Sequence, residues 1–191
     1  MKNIVRIKGD KVNLCVVRVD EEAFEKYMTW MNDEDVVWRL GRNNRVLGFN
    51  EERKYIASDD EHPEHRFNIV VAETGELIGN CDVRLDDMKN NGCIGICIGE
   101  SSGQGKGYGT EVMKMLLKFC FDELHLHNVW LQANSENTRA IHVYEKVGFR
   151  TIGVEKEVQW VHGHYTDTVH MQILEQWYRE LPYAQGVTMN T

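Results

Sequence analysis

The chain has 191 residues, of which 42% are hydrophobic and 27% charged, with a formal net charge of −8 and a mean hydropathy of −0.48. This is the size and balance of one soluble globular domain with a sizeable core. No apolar stretch approaches the ~18–20 residues of a membrane span, and the acidic balance argues against nonspecific nucleic-acid binding, which draws on basic surface.

Met1–Arg6 is too short and too interrupted by charge for a signal peptide, so cytoplasmic residence is the expectation. The five cysteines, Cys15, Cys81, Cys93, Cys97 and Cys120, contain no Cys-x-x-Cys pair. Neither a disulfide framework nor a zinc site is indicated, and most of them read as small buried hydrophobes.

The first predicted element is a strand near Val12–Val17. A helix follows from Asp20, whose carboxylate can cap it, with Phe24, Tyr27, Met28 and Met31 on one face. Trp38–Gly48 is polar and arginine-rich, and Asn50 then reads as the cap of a second helix carrying Tyr55 and Ile56. Arg66–Ala72 and Glu76–Leu85 read as strands joined by the turn Glu73-Thr74-Gly75. Asn90-Asn91-Gly92 forms another turn, and Cys93–Ile98 is the next strand.

Between that strand and a predicted helix over Thr110–Leu124 lie four closely spaced glycines, Gly103, Gly105, Gly107 and Gly109. Glycine admits positive φ and close approach of the backbone to a ligand. The first N–H groups of the following helix lack intrahelical partners, so the junction suits a polyanion. Lys106 adds a cation and Thr110 a hydroxyl; a merely flexible glycine loop is the plain alternative. The string fails as a P-loop, because Gly105-Lys106 is followed by Gly107, and it lacks the glycine spacing of the dinucleotide fingerprint. It does fit Gln/Arg-x-x-Gly-x-Gly/Ala, as Gln104-Gly105-Lys106-Gly107-Tyr108-Gly109.

Val129–Ala133 is a short strand-like run. Asn134-Ser135-Glu136-Asn137 then starts a helix with Ala140, Ile141, Tyr144 and Val147 on one face, and Gly148 ends it. Phe149–Val161 and His164–Ile173 are two β-rich runs about the turn His162-Gly163. No repeat or linker divides the chain, which is expected to form a single domain over residues 5–177 with a tail over 178–191. The segment Trp177–Leu181 reads either as the domain's end or as a contribution to a homodimer.

Asn137-Thr138-Arg139-Ala140-Ile141-His142-Val143-Tyr144-Glu145-Lys146-Val147-Gly148-Phe149 lies some 30 residues after the glycine loop. It closely resembles the motif Asn-x-x-Ala-x-x-x-Tyr-x-x-x-Gly-Phe of the GNAT superfamily of N-acetyltransferases, whose acetyl-CoA pyrophosphate loop the glycine string also resembles. Glu76–Gly79 and Val161–Asp167 add a likeness to the branch of ribosomal-protein N-terminal and spermidine acetyltransferases.

The resemblance implies an α/β (α+β) fold with a mixed, mostly antiparallel central sheet splayed in the middle and flanked by about four helices. Acetyl-CoA is the implied cosubstrate, and the acceptor is a primary amine of a peptide N-terminus, a polyamine or another small molecule. It further implies that the cofactor arm pairs with backbone near Ile96, Cys97 and Ile98. The pyrophosphate would be held by Gln104, Gly105, Lys106, Gly107, Tyr108, Gly109 and Thr110, with Asn137 and Lys146 also on the cofactor. Tyr144 would be the general acid that gives its proton to the departing thiolate.

Each assignment has a structural alternative, since Asn137 can simply cap its helix and Tyr144 can be a core aromatic. Glu100, Asp82 or a water relay can serve as base. Trp30, Trp38, Trp160 and Tyr165 are candidate pocket walls, and Asp33, Glu34 and Asp35 candidate attractors of a cationic amine. The pairs His125/His127 and His162/His164 lack a third ligand in sequence, and no metal site is read. A non-catalytic CoA-binding sensor or scaffold and a nucleotide-dependent kinase-like protein are the functional rivals.

Overall fold

Alternating apolar positions build eight strands into one sheet in the order β1-β2-β3-β4-β5-β6-β8-β7. The strands are β1 Val5–Ile7, β2 Val12–Cys15, β3 His65–Val71, β4 Leu77–Asp86, β5 Asn91–Ile98, β6 Asn128–Asn134, β7 Arg150–Val161 and β8 His164–Leu174. The computed structural model describes residues 3–18, 20–41, 46–57, 65–86, 89–100, 103 and 105–185. Among the described residues six α-helices accompany the sheet: α1 Glu21–Met31, α2 Glu34–Val37, α3 Phe49–Ala57, α4 Tyr108–Lys118, α5 Thr138–Lys146 and α6 Glu175–Arg179. None of the described helices is long and apolar enough to cross a membrane.

Each face of the sheet is buried by helices, which is why most strands have buried residues of both parities. Ile69, Ile78, Met171 and Ile173 pack with Met113, Leu116 and Leu117 of α4, while Phe24, Tyr27 and Trp30 of α1 cover Val70, Leu77 and Cys97 on the opposite face. Burial of these chains supplies the main favourable term of folding.

Every ladder is antiparallel except β5–β6, whose parallel pairing covers only Asn91–Cys93 against Asn128–Trp130. Beyond Cys93, β5 keeps its partner β4 as far as Ile98, and β6 keeps β8 as far as Asn134. The two central strands therefore diverge, and their facing edges stand without a strand between them.

Asp20 caps α1 as its sequence position predicts, accepting a 3.1 Å hydrogen bond from the Ala23 N–H. It also takes a two-pronged ion pair from Arg18, at 2.8 and 2.9 Å. The Arg18 side chain is 6% exposed and holds the Asp20 carboxyl down at about 2. A depressed carboxyl adds stability that is present above its ordinary value near 3.8 and is lost as pH falls through about 2. Asp20→Asn keeps a capping acceptor but loses the charge. It is expected to cost about 1–2 kcal/mol at pH 7 and to flatten the acid limb of a thermal-melt series run from pH 5 to pH 2.

Several expectations need correction. Asn50 lies inside α3, which begins at Phe49, and so is not its cap. Strand β1, α2 and the 3₁₀ turn Trp38–Leu40 carry no periodic signal long enough to read. Asn90 alone carries the positive φ of the turn before β5, so Asn91 and Gly92 already belong to the strand. The helix expected over Thr110–Leu124 starts at Tyr108 and widens after Lys118 into a π turn, Phe119–Glu123. Near the C-terminal end of the described residues, Tyr178 is 1% exposed and stacks on Phe121 with ring centroids 4.8 Å apart.

Candidate active site

The glycine segment feeds directly into α4. Gly107 is the residue before the helix, with φ +83°, and Gly105 has φ +77°. Both lie in the left-handed region that glycine enters without strain, and a Cβ on Gly105 would meet nothing within 4 Å. The free N–H groups and positive dipole end of α4, a helix of 11 residues, are thereby left facing a cavity.

That cavity has a volume of about 490 Å³ and is lined by Ile96, Cys97 and Ile98 of β5 and by Gly103, Gly105, Gly107, Tyr108, Gly109 and Thr110. Asn137, Ala140, Val143 and Tyr144 of α5 close the other side. Local charge runs against the acidic whole. Arg39 and Arg139 face this space against the single acid Glu136 among its described lining residues, and Lys11 donates through Nζ to the Lys106 carbonyl at 3.1 Å, just behind the loop. A phosphate-bearing ligand with an extended arm fits these walls, because the phosphates meet N–H groups and cations while the arm meets the unpaired edge of β5.

A second cavity, of about 770 Å³, opens on the other side of the splay. Asn80, Asp82 and Arg84 of β4, Cys93 and Gly95 of β5, Trp130 and Gln132 of β6, and Glu52 and Tyr55 of α3 line it. Six residues border both cavities: Arg39, Leu40, Ile96, Cys97, Asn137 and Tyr144. Any group passed between the two spaces passes these side chains.

Tyr144 sits where α5 turns its apolar face to the sheet and is 8% exposed. Its ring leans on Phe149 at 6.1 Å, and its Oη has no hydrogen-bond partner among the described residues. Burial, with Cys97 nearby, pushes its phenol up to about 12. It is therefore protonated throughout the physiological range. Asn137 caps α5, accepting from the Ala140 N–H at 3.3 Å, so the capping role is real and leaves its amide nitrogen to the cavities.

Asn134, buried at 2% exposure, ties the cavity's far wall together. Its amide donates to Gln159 at 2.8 Å and Thr166 at 2.7 Å, and its carbonyl accepts from the Glu136 N–H at 2.8 Å. An irregularity in β7 between Glu155 and Gln159 turns Gln159 into this network. Gln159 then packs on Gly41, where a Cβ would come within 2.6 Å of its amide nitrogen.

Of the sequence-predicted residues, Lys106 and Lys146 are exposed and line neither cavity, and Gln104 lies outside the described residues. Of the two base candidates, Asp82 lines the larger cavity, with its carboxylate folded over Gly95 and paired with Arg84 at 3.1 Å. Glu100 lines neither and is held by Lys26 at 2.7 Å and the Trp30 indole at 3.3 Å.

Trp38 borders the smaller cavity, whereas Trp30 packs on Gly99, and Trp160 and Tyr165 pair with each other at the hairpin tip. Asp33 caps α2, Glu34 and Asp35 form its first turn, and none of the three lines a cavity. His162 stacks near Trp38 at 5.5 Å, and His164 meets Glu136 at 2.6 Å. Among the described residues no three metal-ligating side chains cluster. Arg39, Leu40, Asn134 and Gln159 were not singled out by sequence reasoning; the arginine-rich composition of Trp38–Gly48 was the one pointer to the first.

Residues 13–150 match the acetyltransferase (GNAT) domain. A spermidine N(1)-acetyltransferase of Escherichia coli K12 is 33% identical over 164 residues, covering 80% of this chain and 87% of that protein. The N-acetyltransferase p20 of Bacillus licheniformis is 29% identical over 115 residues, and the match covers 60% of this chain and 64% of its length. The crystal structure of spermidine N-acetyltransferase from Vibrio cholerae, in complex with CoA and spermine, superposes with a TM-score of 0.78 at 24% identity, over 89% of this chain and 99% of that one. The chain belongs to the GNAT acetyltransferases, a family of enzymes that use acetyl-CoA.

Proposed function

We propose that this protein acetylates a primary amine, with acetyl-CoA in the 490 Å³ cavity and the amine in the 770 Å³ one. The observation that carries the reading is the position of Tyr144, buried, protonated and bordering both spaces. Acetyl-CoA supplies the acetyl group as a thioester, whose thiolate must be protonated as it leaves.

The residues divide the work. Backbone N–H groups from Gly105 to Thr110 bind the phosphates, and the open edge of β5 at Ile96–Ile98 aligns the arm, which gives the reaction its proximity. Asp82 takes the proton of the incoming ammonium, directly or through a water. Tyr144 Oη then delivers a proton to the leaving sulfur. Relatives named for spermidine acetylation put polyamines among the acceptors to test, and the breadth of the larger cavity adds peptide amines.

The test is release of free CoA thiol from acetyl-CoA in the presence of a polyamine, an N-terminal peptide and an aminoglycoside, assayed side by side. Transfer predicts acceptor-dependent thiol release with at least one of them. Tight acetyl-CoA binding without release on any amine would return the chain to the sensor reading.

A further inference from the structure

We infer that the acceptor is an amine carrying its own anionic group, a carboxylate or phosphate, rather than a polyamine. The inference rests on the transfer reading above and names the substrate class for the same site. A polyamine presents ammonium groups and no anion, so a cavity shaped for it needs a surplus of carboxylates. Among its described lining residues the larger cavity shows no such surplus: Arg39, Arg66, Arg84 and Lys89 stand against Glu52, Asp82 and Asp86. Asp82 pairs with Arg84 and Asp86 with Lys89, each at 3.1 Å, so those four charges cancel.

Arg39 is the cation that points to the ligand. Among the described residues no carboxylate reaches its guanidinium, which is matched only by the Trp38 ring at 5.3 Å. It borders both cavities beside Tyr144, so an anion on the acceptor can meet it while the amine faces the transfer point.

Its backbone is anchored for that purpose. Leu40 and Gly41 end the 3₁₀ turn with φ +68° at Gly41, and Gln159 packs directly on that glycine. Gln159 is in turn held by Asn134. A planar guanidinium at this border suits a carboxylate or phosphate in particular.

The experiment measures kcat/KM at saturating acetyl-CoA for 4-aminobutanoate, its uncharged amide, 4-aminobutyl phosphate and spermidine. The anion-bearing amines are expected to exceed the amide by about tenfold or more, the scale of one charge-assisted contact, and to exceed spermidine. The carboxylate and phosphate arms show which anion the site prefers.

Arg39→Ala is expected to collapse the gap between acid and amide by raising the KM of the acid well beyond that of the amide. Arg39→Lys should restore part of the gap. Equal rates for acid and amide, or an Arg39→Ala effect confined to the KM of acetyl-CoA, would overturn the inference. Preferred turnover of spermidine would overturn it while leaving the transfer reading intact; thiol release with no acceptor, these or the earlier panel, removes both.

Discussion

Tyr144→Phe is expected to lower kcat by about 10²-fold or more while acetyl-CoA affinity stays within about twofold of wild type. The substitution keeps the ring that packs at 6.1 Å on Phe149 and removes only Oη, which has no hydrogen-bond partner among the described residues. Because no buried group is orphaned, the melting temperature should move by no more than a degree or two. A fall in kcat with unchanged ligand binding and unchanged stability separates the acid role from a core role.

The pH profile sharpens the test. Burial raises the phenol to about 12, so its proton is in place at every pH below that value. As pH rises from 6 to 10, kcat/KM of the wild type should climb as the amine loses its proton, and no loss of acid should appear. A descending limb with a midpoint below pH 10 that vanishes in Tyr144→Phe would contradict the buried, protonated state. Full activity in Tyr144→Phe would assign the leaving-group proton to another source.

The parts of the site visible in sequence are those made by short-range chemistry. Gly105 and Gly107 announce left-handed backbone, Asn137 announces a helix cap, and the periodicity of Ala140, Ile141, Tyr144 and Val147 gives one face of α5. Each is decided within a few residues, so the letters suffice.

Arg39 reaches the cavities for a different reason. Its 3₁₀ turn is held through Gly41 by Gln159, 120 positions after Arg39, and Gln159 is aimed by an irregularity in β7 and by Asn134. No local pattern encodes that arrangement. Asp82 shows the same limit, since its carboxylate lies across Gly95 only because β4 and β5 pair in that register. The splay of the sheet is also a long-range result, because β5 and β6 each keep an outer partner as they part from each other. The short elements α2 and β1 were invisible for want of length, having four and three residues.

Ending the chain at Trp177, or replacing Tyr178 by Ala, is expected to cost about 3–5 kcal/mol and to lower the melting temperature by roughly 10 °C. Tyr178 is 1% exposed and stacked on Phe121, itself fully buried in the π turn after α4. Arg179 pairs with Asp122 and donates to the Phe121 carbonyl, clamping the same turn from outside. Farther on, Tyr183 Oη donates at 2.6 Å to the Val147 carbonyl, and Leu181 packs over Gly148. These contacts hold the C-terminal end of α5, the helix that carries Tyr144. The contacts that support α5 therefore include Tyr183.

Truncation should then reduce activity beyond the loss of folded protein, because the end of α5 is released, whereas Tyr178→Phe should retain both stability and rate at neutral pH. Alkaline melts give the sign. Burial raises the Tyr178 phenol to about 12, so its contribution is intact below the ordinary value near 10 and is lost as pH climbs through about 12. Tyr178→Phe, which has no proton to lose, should melt less steeply than wild type across that window. A truncated chain that melts within a degree of wild type would place Tyr178 outside the core.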